Sequence, residues 1–339
     1  MLGGCASGDP MPHGRLGALP FPGMFTLYTS SEISELGLHR YTSWETRLFE
    51  EGEGARGIMY TRRGGFLDLA HIRLTIDWTR YLWKHSRTLL EKGGGSFAFD
   101  YEDARYELSL KLPEWWSTQS EAQRALLIDS AAVRIAQRAA YELQTWHEIA
   151  TWYGWETIPP ISAKGSAFTW EDTASHVLGV AIGGAVLAGG DDDYDARTQE
   201  ALQAAILALD PVCKREVDRA ARAVEGRWWK DGLAIKRDLD LGLESGRKTP
   251  WLVEGFDAPR SPTSPTPAAW TVPLLTDVNA IDMSTWYTLR IRPSGGVLRS
   301  LRAVWKDAPE QVSTQEYGVV LGLIRAEMEE RWGAGFGEP

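Results

Sequence analysis

Apolar residues recur at helical spacing over residues 66–90 (Leu67, Ala70, Leu74, Trp78, Leu82), which predicts an amphipathic helix ended by Gly93, Gly94 and Gly95. Polar and apolar positions then alternate over 96–100 (Phe97, Phe99) and 105–112 (Tyr106, Leu108, Leu110, Leu112), the period-two pattern of a β-hairpin. A longer helix is predicted over 120–153, with Ser120 as a good N-cap and with Gly154 and Pro159-Pro160 as its stop. Thr169 with Asp172 resembles a capping box with Asp in place of Glu, opening a helix through Ala188 whose small, apolar composition predicts burial. Two further helices are expected at 196–209 and 211–225, with Pro211 suited to a first turn. Short strands are expected at 24–30 and 57–63 before this helical block. After it come strands at 285–292 and 298–305 and a closing helix at 314–331.

These elements define a predominantly helical α+β fold, with central helices and small peripheral β-hairpins. The organisation expected is a lipobox and flexible tether at 1–22, a main mostly helical domain at 23–256, a Pro/Ser/Thr-rich loop or linker at 257–269, and a C-terminal α+β segment at 270–339 packed on the main domain. No internal repeat is visible. Among 339 residues the formal net charge is −10, which argues against nucleic acid as a partner because such proteins carry a basic stripe or patch. No run approaches the apolar length of a membrane-spanning helix.

The N-terminus changes the picture. Leu2-Gly3-Gly4-Cys5 places an apolar and two small residues before a cysteine, the lipobox pattern, and a diacylglycerol on Cys5 would anchor the chain. Acyl chains contribute about 0.8 kcal/mol per buried CH₂. The partner then expected is a membrane, reached through this lipid, and the location is the cell envelope. A secretory signal needs a basic region and an apolar stretch ahead of the cleavage site, and only Met1 and Leu2 precede the glycines, so the chain is expected to begin too late. The other reading of LGGC is chance within a disordered cytosolic terminus. Residues 9–22, rich in Pro and Gly, read as a tether. Cys213 is the only other cysteine, so no disulfide framework is available.

Two segments concentrate chemistry: Tyr60-Thr-Arg-Arg-Gly-Gly-Phe-Leu-Asp-Leu-Ala-His71 and Trp146-His-Glu-Ile-Ala-Thr-Trp-Tyr-Gly-Trp155. Asp68 and His71, three apart, fall on one helix face, where the carboxylate can be a co-ligand or can fix the imidazole tautomer. If the two long helices cross near His147, then His71, His147, Asp68 and Glu148 converge. That donor set suits zinc or another divalent ion with an open position for water, whose pKa falls to about 7. Left unligated, Glu148 is the natural general base. His147-Glu148 matches the first half of an HExxH helix, but Thr151 stands where the second histidine belongs, so that motif is incomplete. The alternative is that these histidines are hydrogen-bonded core residues. Asp172 and His176, four apart, either join the site or form a local pair.

Arg62, beside Gly64-Gly65, can present a fork to an anion or simply occupy a turn; the spacing is not that of a phosphate loop. Sixteen tryptophans are many for this length. Trp152 and Trp155, near the candidate site, are candidate platforms for a substrate ring, and equally candidate core fillers. The mixed charged and aromatic stretch 225–240 either lines a cleft or packs.

At these residues the sequence resembles the bacterial family of the domain of unknown function 4056. The resemblance rests on the two segments above and on Ser166-Ala-Phe-Thr-Trp-Glu-Asp172 with Leu178-Gly179, three blocks in order over the N-terminal two thirds. It implies a lipoprotein of the envelope with no established activity, and places Asp68, His71, His147, Glu148, Glu171 and Asp172 within family motifs. The chain departs from the family block at His176, where the pattern carries Asn. The expectation is an envelope-anchored, metal-dependent hydrolase. Its alternative is a non-catalytic envelope protein that binds glycan or a protein partner through exposed aromatics.

Overall fold

A computed structural model describes residues 10–15, 17–23, 28–41, 57–102, 104–154, 164–256, 265–276, 278 and 281–339. The fold is α+β and predominantly helical. Strands β1 (Ile58–Thr61) and β2 (Gly65–Asp68) form a tight antiparallel pair that runs directly into helix α1 (Leu69–Glu91). The expected helix start at 66 is therefore three residues early. Asp68 is the reason, because its side chain accepts from the amides of Ala70 and His71 and so sets the first turn after it.

Helix α1 leads through Gly93 to Gly95, all at positive φ, into the hairpin of β3 (Gly95–Tyr101) and β4 (Ala104–Leu110). Helix α2 (Glu121–Trp152) starts with a capping box in which Ser120 and Gln123 satisfy each other's amides, and it stops at Gly154, φ +95°. Helices α3 (Asp172–Leu187), α4 (Tyr194–Ala208) and α5 (Lys214–Ala223) follow. Pro211 lies outside any helix and bridges Thr61 instead.

Helices α1, α2 and α3 pack on one another and form the centre. The small residues of α3 explain the close approach: a Cβ on Gly179 would stand 2.9 Å from the carbonyl oxygen of Ile72, and one on Gly183 would stand 2.9 Å from the Cβ of Thr79. Two-stranded pairs follow, β5 (Trp229–Lys230) with β6 (Leu233–Ala234) and β7 (Arg247–Lys248) with β8 (Trp270–Thr271).

Strand β9 (Tyr287–Pro293) pairs along the whole of β4, and β10 (Val312–Ser313) extends the same sheet, whose order is β10-β9-β4-β3. Between them, residues 298–305 do not form the expected strand. They belong to helix α6 (Gly295–Val304), capped by Ser294, with Val297 and Leu301 as its buried i,i+4 pair. The apolar spacing there is helical, and the short window imitates alternation. Helix α7 (Thr314–Trp332) closes the fold.

The expected strand at 24–30 lies partly outside the described residues; Ser30 makes one parallel bridge to Ile58. Residues 257–264 of the Pro/Ser/Thr run also lie outside them. The described part of the expected tether is packed onto the domain, with Arg15, Ala18 and Phe21 buried. Phe21 stacks on Trp229 at 5.4 Å and tilts against Trp170 at 5.7 Å. Among the described residues, no helix is long and apolar enough to cross a membrane.

Candidate metal centre

The start of α1, the end of α2 and the start of α3 meet at one place. His71 stands in the first turn of α1, His147 and Glu148 in the last two turns of α2, and Asp172 opens α3. One donor atom from each of His71, His147 and Glu148 lies within 4.8 Å of the others. The His71 ring centroid is 6.2 Å from that of His147 and 5.2 Å from that of His176.

Each of the two ligand-type histidines has a carboxylate beside Nδ1. Glu102 Oε2 is 2.8 Å from His147 Nδ1, and Asp172 Oδ1 is 3.2 Å from His71 Nδ1. The hydrogen bond to Glu102 leaves Nε2 of His147 as its lone-pair donor, the arrangement found behind metal-ligating histidines, whereas His71 Nδ1 faces Asp172 at ion-pair distance without a hydrogen bond. Asp172 is held in turn, its Oδ2 accepting from the Thr169 amide at 2.7 Å. Glu148 is held at one oxygen only: Oε2 accepts from the Phe168 amide at 3.0 Å, while buried Oε1 has no hydrogen-bond partner. Phe168 delivers that amide from a left-handed backbone conformation, φ +57°, which costs a bulky residue about 1–3 kcal/mol.

Asp68 plays a different part from the ligand role read from its spacing. Its Oδ1 accepts from the amides of Ala70 and His71, its Oδ2 accepts from the Ala18 amide at 2.7 Å, and the nearer imidazole nitrogen of His71 is 3.7 Å away. With both oxygens occupied by amides, Asp68 positions His71 and contributes charge from behind.

Charge balance makes the site unusual. Asp68, Glu148, Glu171 and Asp172 are all buried, and Arg237 is the buried guanidinium facing Asp172, Glu171 and Glu148. Burial, with the Asp172 charge added, raises the Glu148 carboxyl to about 8. Burial likewise holds Glu171 well above the usual range, and its Oε2 has no partner. Burial opposes the imidazolium of His147, but Glu102 outweighs it by charge and hydrogen bond, raising that group to about 9. His71 is raised for the same reason, by Asp68 and Asp172 against burial. His176 moves the other way, since burial and the two neighbouring histidines disfavour its charge, and its Nε2 is unpartnered. Without a cation the pocket gathers protons. A divalent ion would supply the same positive charge and satisfy Glu148 Oε1, so the donor set and the orphaned oxygen fit a metal.

The other residues singled out in the sequence lie elsewhere. Trp152 is buried, its indole Nε1 donating to Glu327 at 2.9 Å and Lys164 Nζ standing 4.3 Å from the ring centroid, so it faces α7 and offers no platform. Trp146, Trp170, Trp228 and Trp229 are core residues as well. Arg62 directs its guanidinium to Asp210 (3.2 Å) and Glu216 (3.8 Å) beside α5. Trp155 and Cys5 lie outside the described residues. Sequence reasoning did not single out Glu102, the Phe168 amide or Arg237. Glu102 turns the β3–β4 hairpin at φ +51° and reaches His147 across 45 residues of chain, a contact with no local signature.

No curated protein and no solved structure matches the chain. The family model described as a protein of unknown function, DUF4056, matches residues 2–239, which include every residue of the centre, and the chain belongs to that family.

Proposed function

We propose that His71, His147 and Glu148 hold a divalent metal ion, and that the chain uses it to hydrolyse an ester, amide or glycan of the cell envelope while anchored by a lipid on Cys5. The observation that carries the reading is the pairing of two histidines, each backed by a carboxylate on Nδ1, with a buried glutamate whose second oxygen is unpartnered. Two nitrogens and one carboxylate are the protein ligands of catalytic zinc sites that keep a position open. When bound, such an ion supplies Lewis acidity for hydrolysis.

The chain's own residues do the rest. Glu102 holds the tautomer of His147, Asp172 sets its charge beside Nδ1 of His71, Asp68 fixes the first turn of α1 under His71, and the Phe168 amide directs Glu148. Burial disfavours the charge on Glu171, and Arg237 offsets part of the remaining negative charge. The anchor rests on Leu2-Gly3-Gly4-Cys5 and places the substrate at the envelope.

Elemental analysis of protein purified without chelators tests the centre. Stoichiometric metal in the wild type, and its loss in His71→Ala and His147→Ala, is the expected outcome. Equal, near-zero metal in all three retires the reading. Cys5→Ser should move the protein from the membrane fraction to the soluble one.

A further inference from the structure

Residues 17–21 cross the centre as a strap, with Arg15 anchored upstream of them and Phe21 at the downstream end. Upstream, the Arg15 guanidinium donates to Asp77 Oδ2 on α1 at 2.8 Å and to the Arg40 carbonyl at 2.9 Å. Downstream, Phe21 is buried between Trp170 and Trp229. In the middle, the Ala18 amide donates to Asp68 Oδ2, the carboxylate that caps the helix of His71.

Gly17 lies where this strap passes His71. A Cβ on Gly17 would stand 2.9 Å from His71 Nε2, 3.2 Å from Cε1 and 2.8 Å from Asp68 Oδ2. Real Cβ atoms essentially never come so close, and the atoms met are a short, capped carboxylate and a ring held by Asp172, neither the end of a flexible chain. The backbone at 17 is not in the left-handed region, so space and not φ calls for glycine there. The nitrogen it flanks is Nε2, the one that does not face Asp172.

Resting on the metal reading above, we infer that residues 17–21 are the wall of the metal centre on the His71 side, with Arg15 as an anchor outside it, and that Gly17 sets how large a ligand the ion can accept. Water and small anions fit beneath the strap. A bulky acyl or glycan ligand requires the strap to part, and Arg15 is its upstream hold.

Co²⁺ tests this, because its visible ligand-field bands report the coordination sphere directly. The wild type, Gly17→Ala and Arg15→Gln are titrated with Co²⁺, and the Co²⁺ forms then with azide, a small ligand, and acetohydroxamate, a larger bidentate one. Gly17→Ala is expected to weaken Co²⁺ by about tenfold or more and to alter its bands. Arg15→Gln, which keeps a donor but loosens the strap, is expected to leave Co²⁺ and azide binding as in the wild type and to tighten acetohydroxamate by about fivefold, as the open population grows. Wild-type protein that binds Co²⁺, with a Gly17→Ala variant of unchanged bands and affinity, overturns the inference and leaves the metal centre standing. So does unchanged acetohydroxamate affinity in Arg15→Gln, a readout that holds even if Gly17→Ala fails to fold. Wild-type protein that binds no Co²⁺ overturns both.

Discussion

Glu142 and Glu148 are buried carboxylates on the same helix, fewer than two turns apart, and they are built to opposite ends. Glu142 is complete within the fold: Arg138 Nε donates to Oε1 at 2.5 Å, Tyr287 to Oε2 at 2.8 Å, and Tyr317 to its carbonyl at 2.9 Å. Those tyrosines come from β9 and α7, so this glutamate fastens the C-terminal elements to α2. Glu148 has one amide and an orphaned oxygen, among carboxylates and histidines whose charges are unbalanced. A buried acid with both oxygens answered by protein is part of the scaffold. One left half answered awaits something the chain does not contain.

The sharpest way to break this contrast is Glu142→Ala. It should cost about 3–5 kcal/mol in urea unfolding by stranding Arg138, while the folded protein keeps its metal; a cost near zero would put Glu142 in the other class. Glu148→Gln should do the reverse, lowering metal affinity in isothermal titration by at least about 100-fold, beyond what outer partners contribute, with ion-free stability unchanged or higher. A destabilisation matching that of Glu142→Ala would make Glu148 structural. Glu102→Gln should be milder, about tenfold in metal affinity, because His147 loses the charge behind Nδ1 and keeps its place in α2.

A slope with pH completes the contrast. The Glu148 carboxyl is raised in the folded ion-free site to about 8 from 4.5, and His147 to about 9 from 6.5, so the folded state holds protons that the unfolded chain has released. Stability of chelator-treated protein should therefore fall as pH rises from about 5 towards 9. Metal affinity should rise over the same span, because the ion and the protons compete for one set of atoms. Melting temperatures with and without added Zn²⁺ at pH 6 and pH 9 check both; parallel curves would remove the link between the ion and these groups.

Much of the scaffold was legible in the sequence because it is written locally. The periodicity of α1, α2 and α7, the alternation of β3 and β4 and the triple glycine between helix and hairpin each lie within one window of the chain. Residues 298–305 misled because eight residues are too few to separate Leu-Arg-Ser-Leu as a strand from Val297 and Leu301 as one helical face. The strap misled for another reason: Pro and Gly mark irregular backbone, and irregular backbone can be packed as firmly as a helix when Arg15 and Phe21 hold it. At the centre, His71, His147 and Glu148 were legible by residue type. Glu102, the Phe168 amide and Gly17 were not, since each acts through a contact that only the tertiary fold creates. Asp68 lay between these cases, visible as a carboxylate three residues before His71, while its role as N-cap emerged only where β2 turns into α1.

The pairing of β4 with β9 has a consequence for where this protein can be cut. The family match ends at residue 239, yet the hairpin that presents Glu102 to His147 is flanked along its whole length by Tyr287–Pro293, well past that point. A fragment ending at the family boundary would keep every donor atom of the centre. It would also turn β4 into a raw edge, with Tyr106, Leu108 and Leu110 uncovered and open to strand exchange between molecules. The last hundred residues thus act as a splint: among the described ones none is a donor of the centre, and without them the hairpin behind His147 is open to association between molecules.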